Sequence, residues 1–385
     1  MIKKIIKISA IVLLSIIIAI VLLGGFLWLK VKYGTEITQI QSFNETQPYI
    51  WNKVDLGDHC KCSDGSDYWI YTKKGKSNNL IIHFQGGGAC WDDYSCSNPL
   101  VLNPFMVYYL PRINEWFFKA QFSKGIMRND FQENPFKDWN IVYIPYCTAD
   151  LHIGNGVNTY SDDEHSEKVV RHNGKVNVQN ALKWTRNNIS NTKKVFITGE
   201  SAGGFGSIFW TPAIVSLFPE ADRYYQLSDC SFIDSEVLLD AVKLWNAEPI
   251  ETFGLEMGTD IINSALRTAE DKLGDREIIF LQSYSKFDEI LIDFVAAINN
   301  NTIKNEDNTN AWSNAMLRAV SNNSTTFDNY FYYVTDWNKN KKGKTPHTFI
   351  VYKPFYECIE DEIIFKDWLN DCVVEDNPYS VGSIE

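Results

Sequence analysis

Ser201 stands in the hexapeptide Gly199-Glu-Ser-Ala-Gly-Gly204, with the apolar run Val195-Phe-Ile-Thr198 before it. The segment from Phe205 to Leu217 after it reads as a helix. A serine on a strand-to-helix turn, with small residues two positions to either side, is the setting of a nucleophile elbow. Its hydroxyl is carried to the C-terminal edge of a sheet and to a helix N-terminus, where backbone N–H groups and the helix dipole favour developing negative charge. Gly-x-Ser-x-Gly also occurs by chance in long chains, so its partners decide the matter. A serine nucleophile needs a base, and the base needs a group to orient it. Six histidines bound the search for that base. His83 falls inside the strand-like run Leu80–Phe84 and reads as core, while His165 and His172 flank a polar stretch. His347 comes after the last expected strand, Tyr330–Val334, and is the expected base; His152, beside Asp150, is its competitor. Two carboxylates compete as the acid. Asp229 follows the strand expected at Tyr224–Ser228, and Asp288 follows the one expected at Glu277–Leu281. The chain order Ser, acid, His belongs to one family of hydrolase folds, and the later position, Asp288, is its usual place for the acid.

The elements that must hold these residues can be read around them. The run Leu80-Ile-Ile-His-Phe84 stops at Gln85-Gly-Gly-Gly-Ala-Cys-Trp91. Glycines at the end of a buried strand let backbone N–H groups approach a ligand closely. The glycine run Gly86–Gly88, with the N–H of the residue after the nucleophile, marks the expected place of an oxyanion hole. Further strands are expected at Tyr68–Thr72 and Asn140–Tyr146, and a helix at Val176–Asn188. Buried strands alternating with helices indicate an α/β, α/β-hydrolase-like fold, with a mostly parallel central sheet flanked by helices. Residues 97–138 carry many aromatics without clean periodicity and are expected to form a cap-like insertion over the site, with packing of most of these aromatics against the main sheet the equal alternative. Trp91, Asp150 and His152 are candidate substrate contacts.

Composition narrows the function class. A formal net charge of -12 argues against nucleic-acid binding, which needs a basic face. Residues 8–29 are free of charge and long enough to cross a hydrocarbon core of ~30 Å. Lys3, Lys4 and Lys7 precede this run, Lys30 and Lys32 follow it, and no small-residue cleavage site is visible. The expected organisation is a cytoplasmic stub and transmembrane signal anchor over 1–32, a stalk over 33–55, and one extracytoplasmic catalytic domain over 56–385. Secretion after signal cleavage is the alternative. Eight cysteines suit an exported protein, and Cys90 with Cys96 closes a short loop as the expected disulfide. His59-Cys-Lys-Cys62 lacks a second cluster of matching spacing, so no metal site is expected.

Several blocks, in order along the chain, resemble the pectin acetylesterase family, which includes Notum-type carboxylesterases. They are Cys62-Ser-Asp-Gly-Ser66, Phe84-Gln-Gly-Gly-Gly-Ala-Cys-Trp-Asp92, Asn134-Pro-Phe-Lys-Asp-Trp-Asn140 and Pro145-Tyr-Cys-Thr148. Gly199–Gly204, Gln282-Ser-Tyr284 with Asp288, and His347-Thr348 continue the series. The resemblance implies a serine esterase without a cofactor, in which Ser201 is the nucleophile, His347 the base, Asp288 the acid, and the N–H groups of Gly87, Gly88 and Ala202 the oxyanion donors. It implies an acylated glycan or other acylated molecule as substrate, with acetyl the expected acyl group and a lipase-like or protein-deacylating esterase the alternative. A non-catalytic surface binding module is the remaining reading. The chain departs from the family pattern at Ala149, at Cys230-Ser231 after Asp229, and in a lysine-rich insertion, Asn338–Lys344. These departures bear on substrate choice and leave the three catalytic positions intact.

Overall fold

A computed structural model of the chain describes residues 13, 15–25, 37–100, 108–128, 130–161, 166–274, 276–299 and 306–384. Its centre is a sheet of nine strands: β1 (Thr38–Gln39), β2 (Trp51–Asp55), β3 (Trp69–Lys73), β4 (Leu80–Phe84), β5 (Asn140–Ile144), β8 (Lys194–Glu200), β9 (Arg223–Asp229), β10 (Ile278–Ser285) and β11 (Tyr330–Thr335). The missing numbers, β6 (Gly156–Ser161) and β7 (Glu167–His172), form a separate antiparallel hairpin. The spatial order is β1-β2-β3-β5-β4-β8-β9-β10-β11, and every pair from β5 to β11 is parallel. β4 and β5 are buried along their whole length. Helices cover both faces of a parallel sheet, so its strands read as continuous apolar runs rather than as alternating ones.

The order contains one reversal that matters for function. From β4 the chain steps outward to β5, whereas β8 onward builds the other half of the sheet. The crevice outside the C-terminal ends of strands at such a switch point is where ligands bind in open α/β folds. β4 ends at Phe84, before the three glycines, and β8 ends at Glu200, before Ser201. Helix α1 (Gly174–Asn188) leads into β8, and α2 (Ala202–Leu217) leaves it. α2 buries residues on every side, consistent with its nearly all-apolar sequence. It packs on β8 and β9 and against α3 (Ile261–Leu273).

One expectation is corrected. The segment read as a stalk supplies β1 and β2 of the main sheet, because Trp51 stacks on Phe122 at 3.9 Å between centroids and Val54 is buried. Among the described aromatics of the insertion, Phe118 and Phe122 follow the alternative, packing on the sheet. They lie against Tyr71 and Tyr143 and cover the β3–β5 part of the sheet, while Leu110 and Gln121 border the cavity that contains Ser201. Part of that insertion, residues 101–107 and 129, lies outside the described residues.

Part of the apolar run 8–29, residues 8–12, 14 and 26–29, also lies outside the described residues; Leu13 and 15–25 are helical, and their large apolar side chains are exposed. Among the described residues no helix is long and apolar enough to cross a membrane. Cys90 pairs with Cys96 as expected, and a second disulfide joins Cys62 to Cys147. Cys60, Cys230, Cys358 and Cys372 are buried thiols.

Candidate active site

Ser201 sits between β8 and α2 with φ 52° and ψ −124°, a backbone conformation costly for a side-chain-bearing residue. Its neighbours enforce it. The Ser201 N–H donates to the Asp229 carbonyl at 2.8 Å, and the Ser231 hydroxyl donates to the Ser201 carbonyl at 2.7 Å. The turn closes tightly enough that a Cβ on Gly203 would lie 2.0 Å from the Phe84 carbonyl oxygen. No side chain fits there, which is the physical content of the small-residue rule in the motif.

His347 and Asp288 come together from different strands. After β10, Asp288 bridges to Thr345, and the loop amides interlock: Thr345 N–H donates to Phe287 O and Glu289 N–H to Thr345 O. This pairing delivers His347 two residues later, with its Nδ1 2.7 Å from Asp288 Oδ2. Asp288 Oδ1 accepts the N–H groups of Ile290 and Leu291, at the start of helix α4 (Leu291–Ile298). The carboxylate is thus held on both oxygens. Burial alone would push the His347 imidazole down; the charge and hydrogen bond of Asp288, helped by Asp229 and Glu200, outweigh it and hold the pKa above the ordinary histidine value.

Asp229, the rival acid, does not contact the imidazole. Its Oδ2 accepts Phe349 N–H at 2.7 Å and Ile350 N–H at 2.9 Å, and its Oδ1 accepts the Ser283 hydroxyl at 2.7 Å. It therefore fastens the loop that follows His347 to β9 and β10. Burial pushes this carboxyl up to about 6.

His152, the rival base, is fully buried. Its Nε2 lies 2.9 Å from the Gln85 carbonyl, its ring packs on Tyr146 and Phe84, and desolvation pushes it down to about 4. It braces the start of the glycine loop from behind. Asp150 is equally buried and accepts from the Thr148 hydroxyl, His152 N–H and Gly174 N–H. Trp91 packs on Tyr108 and Phe294. These three candidate substrate contacts stand outside the cavity lining, whereas Leu151, between two of them, is part of it.

The cavity that contains Ser201 and His347 has a volume of about 270 Å³. Gly87, Gly88 and Ala202 border it, where the chain turns through φ 154° at Gly87 and 80° at Gly88. Ile233, Leu291, Phe294 and Phe205 make much of its wall apolar. Among the described residues no lysine or arginine lines it, and Lys339 of the Lys339–Lys344 run pairs instead with Asp336 and lies over the Phe287 ring. Sequence reasoning did not single out Glu200 as a site residue, although it lies inside the motif and lines the cavity. Cys230 brings a sulfur within 4.8 Å of ligand atoms of Asp288 and His347. Burial first, then Asp229 and Asp288, push that thiol well above its usual range.

A preorganised serine, an acid-oriented imidazole and a glycine loop in one cavity provide the parts needed for acyl transfer. Comparison with known proteins bears on the fold and the family. A solved structure of the Wnt deacylase Notum from Drosophila superposes with a TM-score of 0.58 at 18% identity, covering 86% of this chain and 95% of that one. It shares the fold. Palmitoleoyl-protein carboxylesterase NOTUM of Schmidtea mediterranea is 25% identical over 217 residues, which are 51% of this chain and 39% of the relative. Pectin acetylesterase 4 of Arabidopsis thaliana is 27% identical over 220 residues, 50% of this chain and 48% of the relative. The matches thus span less than half the length of these curated relatives. The sequence model of the Pectinacetylesterase family matches residues 49–244, just over half of the chain, and the chain belongs to that family.

Proposed function

We propose that this protein is a serine carboxylesterase that works through Ser201, His347 and Asp288 and an acyl-enzyme. The observation that carries the reading is the 2.7 Å contact of His347 Nδ1 with Asp288 Oδ2 beside a cavity shared with Ser201. Nδ1–H bonded to the carboxylate leaves Nε2 as the basic nitrogen toward the nucleophile. Nε2 takes the Ser201 proton as the hydroxyl oxygen attacks the ester carbonyl, and the imidazolium is stabilised by Asp288. The N–H groups of Gly87, Gly88 and Ala202 are the proposed donors to the tetrahedral oxyanion. Collapse releases the alcohol, which takes the proton back from His347. Water then repeats the sequence on the acyl-enzyme, releasing the acid and restoring Ser201. No metal or organic group enters any step.

The substrate proposed is an acylated extracellular glycan or similar molecule carrying acetyl esters, met by a catalytic domain held outside the cytoplasm by the 8–29 segment. A second reading, a lipase-like or protein-deacylating esterase, gains from one observation. The cavity wall formed by Ile233, Leu291, Phe294 and Phe205 is more apolar than a two-carbon acyl group requires. Hydrolysis of p-nitrophenyl esters from acetyl to dodecanoyl, by wild type and Ser201→Ala, tests both. A kcat/KM maximum at acetyl supports the glycan reading and one at eight carbons or more supports the second. Equal turnover by Ser201→Ala would refute the nucleophile.

A further inference from the structure

The buried pair Glu200 and His83 has no part in the mechanism above, and its geometry joins the two strands that flank the switch point. Glu200 is the last residue of β8 and His83 lies in β4. Glu200 Oε2 is 2.6 Å from His83 Nε2, and Glu200 Oε1 accepts the Gly86 N–H at 3.0 Å. Both side chains are buried, His83 completely and Glu200 to 6% exposure. A carboxylate placed there at the cost of desolvation must be held by partners. Gly86 opens the loop carrying Gly87 and Gly88, and it packs so closely on the elbow that a Cβ there would lie 2.4 Å from the Glu200 carbonyl oxygen.

We infer that Glu200 is a positioning residue: its carboxylate clasps the Gly86–Gly88 loop to the nucleophile strand, with His83 as anchor, and supplies negative charge against which the His347 imidazolium forms. This rests on the esterase reading. One oxygen fixes the loop's first amide, so the oxyanion donors keep their distance from Ser201 without reorganising during the reaction. The other oxygen lies against the His83 ring in the core of β4. The groups facing His347 are Asp288 on the loop after β10, Asp229 at the end of β9, Glu200 at the end of β8 and the Cys230 thiol. Glu200 belongs to this set while touching neither the imidazole nor, on this reading, the substrate.

Two substitutions separate clasp from charge. Glu200→Gln keeps an oxygen for the Gly86 N–H and removes the charge; Glu200→Ala removes both. For a short neutral ester, Glu200→Ala is expected to lower kcat about 10- to 100-fold with KM within about threefold, because small displacements of a catalytic group cost that much. Glu200→Gln should keep kcat within about fivefold of wild type. In both, the acidic limb of kcat/KM should move to lower pH, since a charge favouring the imidazolium is gone. A residue with only a structural role would lower the melting temperature and leave the acidic limb in place. An unmoved limb in both variants, or equal kcat losses in Gln and Ala, overturns the inference. Labelling of wild-type Ser201 by a fluorophosphonate is run alongside. Failure there would overturn the esterase reading itself, whereas labelling with an unmoved limb overturns the role of Glu200 alone.

Discussion

Replacing Asp288 and Asp229 by asparagine, one at a time, discriminates sharply between them because their hydrogen-bond surroundings differ. In Asp288→Asn the amide must satisfy three donors with one oxygen: Ile290 N–H, Leu291 N–H and His347 Nδ1–H. Backbone amides cannot change role, so the asparagine oxygen stays with Ile290 and Leu291 and its NH₂ faces His347. Nδ1 must then become the acceptor. The proton moves to Nε2, and the imidazole can no longer take the Ser201 proton. Such a tautomer error costs about 10⁴ in kcat in serine hydrolases, or about 5 kcal/mol of transition-state stabilisation. Asp229→Asn meets no such conflict. Its oxygen keeps Phe349 and Ile350, and its NH₂ donates to the Ser283 hydroxyl, which can accept as readily as donate. The expected loss is within about tenfold. Steady-state kinetics on one p-nitrophenyl ester, with thermal melts of each variant, provide the assay. A loss of a thousandfold or more in Asp229→Asn alongside a mild Asp288→Asn would refute the reasoning and transfer the acid to Asp229.

Ser201→Ala should abolish turnover and fluorophosphonate labelling while changing stability by less than about 1 kcal/mol, since alanine meets the same backbone restriction; retained labelling would point to another serine. Because the base must be neutral and His347 is raised above its ordinary value of 6.5, kcat/KM should be full at high pH and fall through a midpoint above 6.5 as pH drops. A midpoint below that value would show that Asp288 and its neighbours do not outweigh burial. Replacing Cys62 and Cys147 by serine opens a loop of 85 residues, and the loop-entropy account predicts a loss of about 4 to 5 kcal/mol, readable by urea unfolding. Opening Cys90–Cys96, separated by 6 residues, should cost about 2 kcal/mol on the same account; the reverse ranking would contradict it. His152→Gln should lower stability through the brace on Gln85 and leave the acidic limb in place; a shifted limb would return His152 to the list of bases.

The elements around the nucleophile were legible from sequence because their signals are local. β4 is the run Leu80–Phe84 as read, and β8 and α2 enclose Ser201 because only glycine fits at position 203. Strand order was not legible. That β4 lies between β5 and β8, and hence that the glycine loop and the elbow meet at a switch point, is fixed by packing between distant segments. The same limit applies to the acid. Asp229 and Asp288 each follow a buried strand, and only the bridge from Asp288 to Thr345 turns one toward His347 while Phe349 and Ile350 claim the other. His152 and Asp150 resemble site residues in sequence because they stand among polar residues after a strand; burial behind the loop assigns them to its support instead. Glu200 shows the converse. Its place in the motif was visible, but its bond to Gly86 and its contact with His83 join residues more than a hundred positions apart, a relation that only the paired strands create.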